Sequence, residues 1–195
     1  SCHYGAAIDV GDETSVENAF AATAEAVGKI DILINAAAIA GASPVEEMAV
    51  ADWDQMLRIN LRGTFLCCRA VMPAMRRRNW GRIVNFASEV AHRGNPGLSH
   101  YAASKAAVLG FVRGLARELA PYGITVNSVA PGTANTAMPR QYRSDESMYE
   151  RGANVPLGRI AEPQDIANTV AFLAGDTASY ITGQSMLVNG GDLMI

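Results

Sequence analysis

The stretch "GRIVNFAS" at residues 81–88 opens on a glycine, runs through Ile83, Val84 and Phe86, and ends on Ser88. A short apolar run rich in β-branched residues, bounded by small and polar ones, reads as a strand buried on both faces. The same texture occurs upstream in "DILIN" (31–35) and downstream in "GITVNSVAPG" (123–132), the latter closing in a Pro-Gly turn. "HYGAAIDV" (3–10) and "QSMLVNGG" (184–191) extend the series as a first and a last strand. Between them the hydrophobic period changes from strand to helix. Residues 11–30 place Val16, Phe20 and Ala24 on one helical face behind Asp12, an N-cap candidate. Residues 50–78 repeat Trp53, Met56, Leu57, Leu61, Phe65, Leu66, Ala70 and Val71 at helical spacing. Residues 99–120 form a long helix, and residues 162–175 a further one with Pro163 in its first turn. Short strands alternating with helices predict the α/β class, a doubly wound parallel sheet, in one domain covering residues 1–195.

Composition narrows the function classes. With 195 residues, 49% hydrophobic, the chain is long enough for one well-filled core. Its net charge of −3, both signs interspersed, leaves no footprint for nucleic acid or an anionic membrane. The basic run Arg76-Arg77-Arg78 follows an apolar helix and reads as a solvated helix end. No apolar run reaches the ~18 residues that spanning a bilayer requires, and no secretory signal pattern is present. Three cysteines, Cys2, Cys67 and Cys68, make no disulfide framework. His3, His92 and His100 are scattered without metal-ligand spacing, so no metal is expected. A reducing, cytoplasmic setting fits this usage.

In "SHYAASKAAVLGFV" (99–112) a phenol and an ammonium, Tyr101 and Lys105, stand one turn apart on an otherwise small, apolar helix. Residues at i and i+4 share a helical face. By itself that spacing also suits a core-edge tyrosine beside a lysine whose stem packs and whose head reaches water. Open α/β sheets bind ligands beyond the carboxyl ends of their strands. The polar residues at those ends are Asp9, Asn35, Ser88 and the loop from Pro131.

Taken together, these features resemble the short-chain dehydrogenase/reductase family, in order and along essentially the whole chain. Tyr101 and Lys105 match its Tyr-x-x-x-Lys motif, and Ser88, 13 residues earlier, its strand-end serine. Asn60 in "RINLRGTF" matches its helix asparagine, and "APG" at 130–132 followed by Thr136 matches the turn beside the nicotinamide. "DV" at 9–10 and "VNGG" at 188–191 also fit. The resemblance implies a Rossmann-type fold and an NAD- or NADP-dependent oxidoreductase that interconverts a secondary alcohol and a ketone. Under it, Tyr101 is the acid/base and Ser88 orients the substrate oxygen. Lys105 lowers the tyrosine pKa and holds the nicotinamide ribose, and Asn60 holds the water of a proton relay. The cofactor would lie against Asp9, Val10, Asn35, Ala36, Ala37, Tyr101, Lys105, Pro131, Gly132, Thr133 and Thr136. The chemistry is coherent, because hydride transfer needs a partner group that moves a proton on the substrate oxygen. A free phenol, with a pKa near ~10, needs a neighbouring cation to do so at neutral pH.

The resemblance further implies a homotetramer or homodimer, with helices 60–78 and 99–120 at one interface. It makes residues 133–160 a substrate lid whose Met138, Tyr142, Met148 and Tyr149 suit an uncharged or acyl-type small molecule, either a 3-oxoacyl thioester or a sugar or polyol. Two departures stand out. "NAAA" at 35–38 replaces the family's Asn-Asn-Ala-Gly, so the Ala38 methyl would crowd the cofactor. No Gly-rich phosphate turn occurs, and the chain reads as starting at the family's third strand, a fragment of a protein of ~250 residues that leaves 31–35 as an apolar sheet edge. The choice between NAD and NADP is then not carried by these residues. A non-catalytic, truncated member with an assembly role is the alternative reading. A serine hydrolase using Ser88 with His92 or His100 is a remote third, since "FASEV" is not a Gly-x-Ser-x-Gly elbow.

Overall fold

In a computed structural model, which describes residues 3–195, four strands form one parallel sheet in the order β1-β2-β3-β4. These are β1 (Ile32–Asn35), β2 (Gly81–Phe86), β3 (Ile124–Pro131) and β4 (Ser185–Val188). β2 and β3 are buried along nearly their whole length, as the continuous apolar runs demand. Alternation then divides the core. Ile83 faces Val16 of α1 (Glu13–Val27), Leu66 and Val71 of α3 (Gly63–Arg78), and Val108 and Val112 of α5 (Ser99–Leu119). Val84, one residue on, faces the other way into a cluster with Leu173 of α8 (Pro163–Ala174).

Asp12 caps α1, accepting a hydrogen bond from the Ser15 amide at 2.6 Å. The helical stretch 50–78 is interrupted: α2 (Val50–Leu57) passes into a π-helical turn at Arg58–Arg62 before α3 begins. A π turn inserts a residue into the helical ladder and redirects the side chains there. At its centre lies Asn60. Past β2, the short α4 (Val90–Arg93) precedes α5, and residues 133–160 hold two short helices, α6 (Ala137–Arg140) and α7 (Asp145–Ala153).

The expected strand at 3–10 is not formed: residues 3–9 carry no strand pairing. A lone extended segment has no ladder to satisfy its amides. Its end instead turns into α1, with Asp9 accepting from the Gly11 amide through its carboxylate at 2.8 Å and from the Asp12 amide through its carbonyl at 3.1 Å. β1 is consequently the sheet edge among the described residues, with Ile32 and Ile34, on the sheet face that Val84 shares, 43% and 38% exposed. The arginines after α3 also differ from a simply solvated end. Arg76 stacks on Tyr122, and Arg78 pairs with Asp31 and donates to the Ile30 carbonyl at 2.7 Å. Cys67 and Cys68 are unpaired and buried in the core, whereas Cys2 lies outside the described residues.

Candidate active site

A cavity of about 260 Å³ opens beyond the carboxyl ends of β2 and β3. β2 delivers Ser88 to its floor, α5 delivers Tyr101 and Lys105, and the turn after β3 contributes Pro131, Gly132, Thr133 and Thr136. Ala36 and Ala38, just past β1, line the same wall. Residues far apart in sequence therefore meet at one rim because the sheet is parallel and all its strands end on the same side.

Ser88 is buried and its Oγ accepts a hydrogen bond from the Val90 amide at 3.2 Å, leaving its O–H free to donate. It lies beside the Tyr101 phenol, where a hydrogen bond to it favours phenolate. Burial nevertheless dominates and pushes the phenol up to about 12. This direction corrects the expectation that Lys105 lowers it. The physical reason is the burial of the phenol itself, which outweighs the hydrogen bond from Ser88. Lys105, 3% exposed, has its pKa brought down to about 8 by burial. Its Nζ donates to the Phe86 carbonyl at 2.8 Å and stands 5.8 Å from the centre of the Tyr101 ring. Two of its three N–H donors remain unused by that bond.

Asn60 is fully buried behind the cavity wall, where its side chain works as a structural clamp. Oδ1 accepts from the Ile39 amide at 2.8 Å, and Nδ2 donates to the Ile39 carbonyl at 2.9 Å and to the Ser104 hydroxyl at 3.1 Å. Its backbone carbonyl accepts from Thr64 Oγ1 at 2.9 Å. The clamp pins the segment after β1 to α5, one residue from Lys105. Asn35 ties two strands together instead of lining the cavity, donating to Asn85 Oδ1 at 2.8 Å and to Cys68 Sγ at 3.3 Å. Asp9, paired with Arg58 at 3.1 Å, and Val10, packed under Gly63, stand outside the cavity lining, as does Ala37.

Sequence reasoning passed over Glu89. It follows Ser88 directly, is 2% exposed, and lines the cavity. Its Oε1 accepts from Arg93 at 2.8 Å and from Arg151 of α7 at 3.2 Å, and both arginines also pair with Asp192 near the C-terminus. Burial, with the Asp192 charge adding to it, raises the Glu89 carboxyl above its ordinary value despite the two guanidiniums. Its Oε2 is buried and has no hydrogen-bond partner. The four charges join the segment after Ser88 to α7 and to the end of the chain. Their one readable signal was the Glu89–Arg93 spacing of i, i+4. Arg143, also on the cavity wall, left no signal of its own in the sequence.

A parallel α/β sheet with a tyrosine, a lysine and a serine converging beyond its strand ends defines the class of Rossmann-type oxidoreductases. Comparison narrows it. Residues 2–192 match the family model described as enoyl-(acyl carrier protein) reductase. Over 98% of its length the chain is 41% identical to the 3-oxoacyl-[acyl-carrier-protein] reductase FabG of Vibrio cholerae, covering 78% of that protein. It is 40% identical to the FabG of Aquifex aeolicus, over 96% of the chain and 75% of the relative. It is 42% identical to the (2S)-[(R)-hydroxy(phenyl)methyl]succinyl-CoA dehydrogenase subunit BbsD of Thauera aromatica, again over 96% and 75%. The chain belongs to the short-chain dehydrogenase/reductase family. It is an oxidoreductase that works with NAD or NADP. Among the described residues no helix is long and apolar enough to cross a membrane, and no cluster of ligating side chains could hold a metal ion.

Proposed function

We propose that this protein interconverts a secondary alcohol and a ketone, with Tyr101 as the acid/base. The observation that carries the reading is the convergence of the Tyr101 phenol, the Ser88 hydroxyl and the Lys105 ammonium on one cavity. The nicotinamide cofactor supplies or accepts the hydride when bound. The cavity's residues fit its nicotinamide-ribose half: Lys105 keeps two N–H donors for ribose hydroxyls, and Thr133, Thr136 and Ala36 line the adjoining wall. The chain's own groups do the rest. Ser88 donates its hydroxyl hydrogen to the substrate oxygen and fixes it beside the phenol. In reduction Tyr101 gives its proton to the developing alkoxide, and in oxidation it takes that proton back. Burial favours the protonated phenol, which is a competent donor to an alkoxide. Lys105 opposes the charge left on the tyrosine oxygen. Asn60 acts by holding the wall in register, and its carbonyl is the point from which a water chain toward Lys105 would start.

The substrate is a 3-oxoacyl thioester or a comparable small ketone, with residues 133–160 folding over it as a lid. The relatives' names support the acyl class, and the apolar Leu98, Met138, Pro139 and Ile166 of the cavity wall suit an acyl chain. Two or four copies assemble through α3 and α5, where Phe65 lies 41% exposed and edge-on to Phe111 at 6.3 Å. The test is Tyr101→Phe with a 3-oxoacyl thioester and NADPH or NADH. Turnover falls about 10³-fold while nucleotide affinity, read by nicotinamide fluorescence, is unchanged. Turnover retained within a few-fold removes Tyr101 from the role. A non-catalytic assembly protein would instead show no turnover before substitution.

A further inference from the structure

The cavity wall carries more positive charge than the chemistry above requires. Its lining holds three cations, Lys105, Arg93 and Arg143, against one acid, Glu89. Arg93 is committed to Glu89 at 2.8 Å and to Asp192 at 3.0 Å. Lys105 is turned to the Phe86 carbonyl. Arg143 has no carboxylate partner among the described residues: the nearest acid along its segment, Asp145, is taken by Arg140 at 3.0 Å. Its guanidinium lies 5.8 Å from the ring centre of Tyr142. Tyr142 also lines the cavity, close enough to Tyr101 to oppose the ionisation of its phenol. A guanidinium beside an aromatic ring and without a carboxylate partner keeps its fork of donors free for a planar anion. The same cavity lining carries the apolar Met138, Pro139 and Leu98.

We infer that Arg143 is a specificity-determining residue that binds a carboxylate at the far end of the substrate's acyl chain, so that the preferred ketone is anionic. The inference rests on the dehydrogenase reading for the position of the ketone and extends it to the substrate's other end. An unpaired guanidinium in a partly enclosed cavity strengthens a charge-assisted hydrogen bond, and a neutral chain end would leave that cation desolvated without return. The same free guanidinium could instead meet a phosphate of the dinucleotide, and the test separates the two.

The probes are the N-acetylcysteamine thioesters of 3-oxoadipate and 3-oxohexanoate, equal in chain length and differing by a terminal carboxylate against a methyl. Wild type reduces the first with a kcat/KM about 10-fold or more above the second. Arg143→Met lowers kcat/KM for the 3-oxoadipyl probe about 30-fold, mostly through KM, and changes the 3-oxohexanoyl value by less than about 3-fold. Arg143→Lys restores part of the preference. Equal loss on both probes together with weakened nucleotide binding would assign Arg143 to the cofactor and overturn the inference. Equal turnover of both probes by wild type would overturn it and leave the dehydrogenase reading standing. A binding arm does not depend on turnover. Calorimetric titration with the adipyl and hexanoyl thioesters, which lack the ketone, shows the adipyl probe binding more tightly to wild type and equally to Arg143→Met. That preference in a protein without turnover would uphold the anion site and refute the dehydrogenase reading.

Discussion

Lys105→Met should abolish turnover and, at pH 7, make the protein more stable. The ammonium is 3% exposed, and burial alone brings its pKa from 10.5 to about 8. Holding it charged at pH 7 therefore costs the fold about 3 kcal/mol, at roughly 1.4 kcal/mol per pH decade. Methionine keeps the apolar stem in the same slot but leaves the Phe86 carbonyl without its donor, a loss of about 1–2 kcal/mol. The difference favours the variant by about 1–2 kcal/mol, or a Tm higher by roughly 2–8 °C for a domain of this size. The sign of the pH dependence is fixed by the same shift. A lysine depressed in the folded state destabilises fully below about pH 8, and wild type recovers that stability as pH rises from about 8 toward 10.5, where only the unfolded chain still holds the proton. Methionine does not titrate. Urea denaturation of both proteins at pH 7, 8, 9 and 10 should show the variant ahead at pH 7 and wild type overtaking it near the upper end. A variant less stable than wild type by the same amount at every pH would refute the argument, because the lysine would then be held by interactions that favour its charge.

Two further outcomes follow from buried polar groups. Glu89→Gln keeps the side chain's shape and leaves Arg93 and Arg151 with Asp192 as their one carboxylate, but it also removes a buried charge that desolvation disfavours, so the two effects oppose each other and Tm should change by less than about 4 °C, the equivalent of about 1 kcal/mol. In that variant α7 loses a tie to the segment after Ser88, and KM for a 3-oxoacyl thioester should rise more than kcat falls; a fall confined to kcat would place Glu89 in the chemical step. Burial pushes the Cys67 thiol up to about 11 and the Cys68 thiol to about 12, so neither should react with an aromatic disulfide reagent at pH 8 until urea unfolds the chain. Rapid labelling of either in the native protein, read by mass spectrometry of peptides, would contradict the packing of α3 against the sheet.

The catalytic constellation was legible in the sequence because it lies in regular elements whose period can be read. Ser88 ends a strand, and Tyr101 and Lys105 sit one turn apart on a helix. A parallel sheet then fixes where both must point. Asn60 was legible as a residue but not in its role, since the π turn that buries it adds one residue to a helix and leaves the hydrophobic repeat intact on either side. Residues 3–10 read as a strand because the rule detects apolar texture, whereas strand formation depends on a neighbour supplying the ladder. The lid residues were the least legible. Arg143 has no periodicity to place it, and the expectation of an uncharged or acyl-type substrate rested on the apolar and aromatic side chains of 133–160 alone.

Charges on a wall are informative only after subtraction of those that neutralise one another, and here the subtraction is structural. Glu89 removes Arg93 from the account by a bond within α4 and its cap, and removes Arg151 by reaching across to α7. Asp192 holds the same two arginines from the end of the chain. The network that draws α7 toward Ser88 thus withholds its own guanidiniums from the cavity, and Arg143, ten residues from Thr133 along the same segment, is left facing it without a carboxylate. The two features make opposite predictions for salt. The paired network is partly enclosed and should hold at ionic strengths of several hundred millimolar, where exposed interactions are screened beyond ~4–5 Å. An anionic substrate approaching Arg143 from solvent crosses that screened region, so its on-rate, and with it kcat/KM, should fall with added salt while Tm does not. A parallel fall in Tm and in kcat/KM would mean that the network, and not Arg143, is what salt acts on.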